Sequence, residues 1–123
     1  MLSVPWSAVE LALGQAGPLS GKVLCDCTNA LTADYTGLAV GATTSGGEII
    51  AGLAPGARVV KGIPPSAALL LSDNPTIGGK PVGCFLYGDD PAAKATVSEL
   101  ARALPTEVVD FGPLTMRASP SPP

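Results

Sequence analysis

Short apolar runs closed by Gly/Pro or polar corners alternate along this chain with stretches of helical spacing. The chain opens on Met1-Leu2-Ser3-Val4-Pro5-Trp6, which reads as the end of a buried strand running straight into a helix. Over residues 5–16, Val9, Ala12, Leu13 and Ala16 recur at helical spacing, Pro5 suits the first turn and Gly17-Pro18 ends the element. Residues 22–27 predict a strand followed by the polar corner Thr28-Asn29. Ser45 and Glu48 stand three apart ahead of Ile49, Ile50 and Leu53, the signature of a capping box opening a helix. Residues 57–61 predict a strand, 66–72 a short helix, 74–80 a turn-rich stretch and 82–87 another strand. Asp90-Pro91 supplies an N-cap and a first-turn proline to a helix whose apolar face is Ala93, Val97, Leu100, Ala101 and Leu104. Residues 107–111 predict the last strand. Beyond Gly112-Pro113 the chain turns Ser/Pro-rich, and disorder is expected over 116–123.

Strands alternating with helices or long crossovers predict an α/β fold, a mainly parallel sheet with helices on its faces. In such sheets ligands sit beyond the carboxyl ends of the strands. That rule nominates Pro5-Trp6, Thr28-Asn29, Lys61-Gly62-Ile63, Gly88-Asp89 and Gly112-Pro113, all expected along one edge of the sheet.

Composition narrows the function. The 123 residues are 46% hydrophobic but only 4% aromatic, so Val, Leu, Ile and Ala must fill the core of one domain. Net charge is −3 with no basic patch, which argues against nucleic acid as a partner. No apolar run reaches the roughly 18 residues of a membrane span. The N-terminus has no charged segment of a secretory signal. The three cysteines, Cys25, Cys27 and Cys84, lie inside apolar runs and fit free thiols in a reducing cytoplasm. Cys25-x-Cys27 comes with no His and no second Cys pair, so no zinc site is expected. The absence of His also argues against Ser-His-Asp and Cys-His hydrolases.

Seven segments carry a more specific signal. They are Val4-Pro5-Trp6, Asp26-Cys27-Thr28-Asn29, Thr43-Thr44-Ser45, Pro55-Gly56-Ala57-Arg58-Val59-Val60-Lys61, Gly78-Gly79-Lys80-Pro81, Gly88-Asp89-Asp90 and Val109-Asp110-Phe111-Gly112-Pro113-Leu114. In this order and spacing the chain resembles the NADP oxidoreductase, coenzyme F420-dependent family, over about residues 2–115. The resemblance implies a partial Rossmann-like NAD(P)-binding domain at 1–115, without the Gly-rich half that grips a pyrophosphate. It implies hydride transfer between NADP and coenzyme F420 or a similar acceptor. It places Val4, Pro5, Trp6, Thr28, Asn29 and Thr44 against the cofactor, and Lys61, Gly62, Ile63, Gly112, Pro113 and Leu114 against the second substrate. Where the family runs small–aromatic–Asn after the strand lysine, this chain has Gly62-Ile63-Pro64-Pro65, and after Met116 the family's Leu-rich helix does not continue.

Each of these residues also has a plain structural reading. Pro5 starts a helix and Trp6 packs on its neighbour; Thr28-Asn29 forms an Asx-type turn; Ser45 caps a helix. Lys61 is a solvated strand-end lysine, Asp89-Asp90 a helix N-terminus and Gly112-Pro113-Leu114 a turn. Three expectations about the whole chain therefore stand together: a fragment or partial form of such a reductase, a non-catalytic half-domain that pairs with another chain, and an inactive degraded product, with a homodimer or a complementing chain as the expected protein partner.

Overall fold

Side-chain alternation along the strands sorts the apolar residues onto two faces of one sheet, and helices cover each face. The computed structural model describes residues 1–30, Thr32, Asp34, 44–63 and 76–115. A 3₁₀ turn at Trp6–Ala8 leads into α1 (Val9–Ala16). β1 (Val23–Asp26), α2 (Gly46–Leu53), β2 (Arg58–Ile63), β3 (Thr76–Ile77), β4 (Lys80–Gly88), α3 (Pro91–Ala101) and β5 (Thr106–Asp110) follow. The short helix expected at 66–72 and the tail 116–123 lie outside the described residues.

The sheet is α/β and mixed. β1 runs parallel to β2, with Val23 opposite Arg58 and Asp26 opposite Lys61. β5 runs parallel to β4, with α3 as the crossover between them. The opening segment does enter the sheet. Leu2 forms a parallel bridge to Asp26, its N–H donating to the Cys25 carbonyl at 2.8 Å and its carbonyl accepting from Cys27 at 2.9 Å. The join between the halves is antiparallel: Val60 faces Gly88 and Ile63 faces Phe85. β3 and β4 form a hairpin over Gly78-Gly79, whose positive φ angles of 60° and 80° suit a two-glycine turn.

One core layer joins Leu2, Val9, Leu13, Leu24, Ile50, Ala54, Val59 and Leu114 under α1 and α2. The other joins Val60, Cys84, Leu86, Ala93, Val97 and Ala101 under α3. The expected face of α3 needs correction: Leu100 and Leu104 are exposed, and the buried stripe is Ala93, Val97 and Ala101. Small residues at a spacing of four let this helix lie close to the sheet, which turns Leu100 outward.

α3 begins as expected. The Asp90 carboxylate accepts from the Ala92 and Ala93 amides at 2.9 and 3.3 Å and from Arg58 Nε at 2.5 Å. Arg58 first, and then the helix amides, hold the Asp90 carboxyl down to about 2. Lys94, 3.0 Å away, likewise lowers Asp110. Both folded values lie below the ordinary carboxylate value, so their stabilisation is complete above that value and is lost as pH falls through the folded ones. Melting temperature should therefore show a shallow fall between about pH 4 and pH 2, since both pairs are solvent-exposed and screened. Asp90→Asn, which removes the charge, should flatten that limb; parallel melting curves across this range would reject the assignment.

Candidate functional site

The corner at the end of β1 is built around one carboxylate. Asp26 is completely buried, and its Oδ1 accepts from both the amide (2.8 Å) and the hydroxyl (2.6 Å) of Thr28. This Asx turn closes the strand, with Asp26 rather than Asn29 as its acceptor. Lys61, opposite Asp26 in register, places its ammonium 3.4 Å from Oδ2 and donates to the Thr28 carbonyl. Asp26 Oδ2 has that ion pair but no hydrogen-bond donor among the described residues. Lys61 is therefore neither a solvated strand-end lysine nor a free cation that could steer an anionic substrate: it is locked into the corner. Thr28 is buried with its amide, hydroxyl and carbonyl all used internally, while Asn29 beside it is exposed.

The N-terminus of α2 packs against this corner. The capping box is complete: Glu48 N–H donates to Ser45 Oγ at 3.2 Å, and the Glu48 carboxylate accepts from Ser45 N–H at 2.6 Å. Thr44 Oγ donates to the same carboxylate at 3.4 Å, so this hydroxyl serves the cap. The helix then starts with two glycines. A Cβ on Gly46 would lie 3.4 Å from Ala30 Cβ and 3.5 Å from the Trp6 ring; a Cβ on Gly47 would lie 2.9 Å from Leu114 Cδ1. Trp6, Ala30, α2, Lys61 and Leu114 thus converge. Val4 packs half-buried on the α1/α2 core, and Pro5 is exposed at the start of the 3₁₀ turn.

The expectation that every post-strand corner shares one edge is corrected. β4 and β5 run against β1 and β2, so Gly88-Asp89 and Gly112-Pro113 leave the sheet in the opposite direction from Thr28 and Lys61. Strand direction there depends on the connection between β2 and β4, which apolar periodicity does not encode. The chain nevertheless returns: Leu114 N–H donates to Asp89 Oδ1 at 3.0 Å, its carbonyl accepts from Ser45 Oγ at 3.4 Å, and its side chain is buried in the α1/α2 layer. Gly112 keeps the β5 end in place, accepting from Gly88 N–H and donating to Asp110 Oδ1, both at 3.0 Å, and Pro113 is exposed. Gly62 turns toward Leu86 and Cys25 on the α3 face, away from the corner, and Ile63 closes β2 opposite Phe85.

Sequence reading passed over three contributors. Asp26 is the lone carboxylate within an apolar strand, a signal that was available. Ala30 and Gly46-Gly47 gave none, since their role depends on what approaches them. A group of aromatics also flanks the corner. Tyr87 is opposite Lys61 in register, and its ring lies 5.4 Å from that of Phe111, which meets Phe85 edge-on at 5.3 Å. A hollow of about 230 Å³ between the carboxyl ends of α1 and α2, lined by Leu13, Leu19, Leu53 and Ala54, lies at the other end of these helices. Among the described residues no three His, Cys, Asp or Glu side chains gather to hold a metal, and no helix is long and apolar enough to cross a membrane.

No protein-family model matches the chain. It is 34% identical over 99 residues to metalloreductase STEAP3 of Rattus norvegicus, covering 80% of this chain. Among solved structures, a candidate F420-dependent NADP-reductase of Arthrobacter sp. FB24 superposes with a TM-score of 0.78 at 34% identity over 92% of this chain. Hypothetical protein SMa0349 of Sinorhizobium meliloti gives 0.75 at 31% over the same share. Over most of its length the chain is thus similar to reductases, one of them described as an F420-dependent NADP-reductase. It spans 54% and 55% of the two solved chains and 19% of STEAP3. The Rossmann-like α/β architecture is present here, together with the segments over which the resemblance was recognised.

Proposed function

We propose that this chain forms the nicotinamide-side wall of an NADP-dependent oxidoreductase that passes hydride between NADP and coenzyme F420 or a similar acceptor. The reading rests on one convergence, that of Trp6, Asn29, the α2 N-terminus and Leu114 around strand ends locked by Asp26, Thr28 and Lys61. The residues fit a nicotinamide. Trp6 offers a half-buried flat ring, and Asn29 offers an exposed amide that both donates and accepts, as a carboxamide partner must. Asp26 Oδ2 adds a buried acceptor that, among the described residues, has the Lys61 ion pair but no hydrogen-bond donor. Phe85, Tyr87 and Phe111 provide an aromatic surface beside Lys61 for a planar acceptor.

Hydride transfer is carried by the two cofactors themselves. The chain's own task is to fix the strand ends, orient the rings and exclude water, which needs no nucleophile and no histidine. Thr28 and Lys61 act here as positioning residues, because their polar groups are spent on Asp26 and on each other.

The sequence contains no G-x-G-x-x-G turn. Charge-assisted hydrogen bonds to a pyrophosphate are worth about 1.5–3 kcal/mol each, so losing several weakens binding by orders of magnitude. Calorimetric titration of the chain alone should show no micromolar NADPH binding. A hybrid in which this chain replaces the matching segment of the Arthrobacter protein should bind NADPH and reduce F420. A folded hybrid that binds NADPH yet transfers no hydride would overturn the proposal. A second reading, a half-domain that pairs with a Gly-rich partner or a second copy, is favoured by the sheet edge: Leu2 bridges β1 by one residue, and among the described residues no strand covers its outer side. Sedimentation equilibrium giving only monomer, with no partner retained on purification, would remove it.

A further inference from the structure

Cys25 and Cys27 take no part in the Asp26 corner. Alternation along β1 sends Cys25 to the other face, where it packs against the layer under α3, and Cys27 follows just past the strand end. Their sulfur atoms are 3.7 Å apart and in hydrogen-bond contact, and both side chains are partly exposed, whereas Cys84 on the same face is buried. We propose that Cys25 and Cys27 are a peroxide-sensitive dithiol that closes to a disulfide and thereby loosens the cofactor corner next to it.

The two thiols divide the work. The hydrogen bond from Cys25, and more weakly the Lys61 charge, bring the Cys27 thiol down to about 7 against burial and the neighbouring Asp26 carboxylate. That same hydrogen bond, and then burial, push Cys25 up, and burial pushes Cys84 up. Cys27 is therefore the attacking thiolate and Cys25 the resolving thiol. The Cys27 thiolate attacks one oxygen of hydrogen peroxide; the O–O bond breaks, hydroxide leaves and takes up a proton as water, and Cys27 becomes a sulfenic acid. The Cys25 sulfur then attacks that sulfur. The S–O bond breaks, the hydroxyl leaves with the Cys25 proton as a second water, and the S–S bond forms. Two thiols have lost two protons and two electrons, and one peroxide has become two waters.

Geometry allows closure and couples it to the site. Residues two apart on a strand are separated by about 6.6 Å, within the span a disulfide bridges. Drawing the sulfurs in to about 2.05 Å must pull Cys27, which already lies past the end of β1, toward Cys25. The Cys27 amide donates to Leu2, and its neighbours Asp26 and Thr28 form the turn that receives Lys61, so the bend is felt on both sides of the strand.

The test uses the intact reduced chain, exposed to hydrogen peroxide and quenched at intervals with iodoacetamide, with peptide mapping by mass spectrometry. The expected product is a Cys25–Cys27 bridge formed on the order of tenfold faster than Cys84 is oxidised. Cys25→Ser should accumulate a dimedone-reactive sulfenic acid at Cys27 and no bridge, and Cys84→Ser should bridge like the parent. Phenylarsine oxide, which caps paired thiols, should protect Cys25 and Cys27 of the unaltered chain from iodoacetamide, a readout that needs no variant. After oxidation, amide exchange at Cys27 and Thr28 should speed up. Oxidation of Cys84 as fast as the pair, an arsenical that protects neither thiol, or a bridge that leaves exchange at Thr28 unchanged would each overturn the proposal.

Discussion

Lys61→Met should lower folding stability by about 3–5 kcal/mol, the range for stripping the partner from a buried charge. Asp26 is fully buried, so its carboxylate has no route to water once the ammonium 3.4 Å away is gone. The Thr28 carbonyl loses its donor in the same step. The loss comes from the orphaned charge rather than from the pair itself, and that distinction is measurable. Asp26→Asn combined with Lys61→Met should be markedly more stable than Lys61→Met alone, because a neutral amide side chain keeps an acceptor for Thr28 and carries no charge. Urea denaturation of the two singles and the double closes the cycle. Lys94→Met is the control: its partner Asp110 has a side chain 64% exposed, and stability should barely move. If Lys61→Met and Lys94→Met cost the same, Asp26 is hydrated in solution and the corner is not locked.

The contrast between these two lysines marks where sequence reading stopped. Both precede or follow an apolar run and look alike as letters. What separates them is the partner across the sheet, thirty-five positions away for Lys61, and no local rule supplies it. Features closed within about four residues were legible: the Ser45–Glu48 box, the Asp90-Pro91 helix start, and the apolar runs of β1, β2, β4 and β5. Trp6 and Thr28 were nominated for a ligand-binding edge, and Leu114, placed against the second substrate by the resemblance alone, arrives near the same corner by a return of the chain rather than by ending a parallel strand. The direction of β4, the hairpin with the two-residue β3 and the inward turn of Gly62 depend on crossings, not on composition. Asp26 is the instructive omission. A carboxylate inside an apolar strand has to be paired or hydrogen-bonded to be tolerated, and that rule alone would have predicted both a donor turn after the strand and a cation from a neighbouring one.

Ile50→Ala is expected to be as damaging by a different route, costing about 3 kcal/mol within the 2–5 range of such truncations. Ile50 is fully buried beneath α2, among Leu2, Val9, Leu13, Leu24, Val59 and Leu114, so the void touches α1, both parallel strands and the returning chain at once. Collapse into it is restricted, because α2 is pinned at its N-terminus by the capping box and by close contact of Gly46 and Gly47 with Trp6 and Leu114. A domain of this size has only about 5–15 kcal/mol in total, so the loss is a large share of it. Leu53, on the same helix but 39% exposed, should tolerate Ala far better. The pair separates two ways in which α2 serves the site. If α2 is held mainly by its buried face, Ile50→Ala should loosen its first turn, seen as faster amide exchange at Glu48 and a shift in Trp6 fluorescence, while Leu53→Ala leaves both unchanged. Equal destabilisation by the two variants, with Trp6 emission unmoved, would mean that α2 does not seat the tryptophan and that the wall of the proposed cofactor cleft is set by the 3₁₀ turn alone.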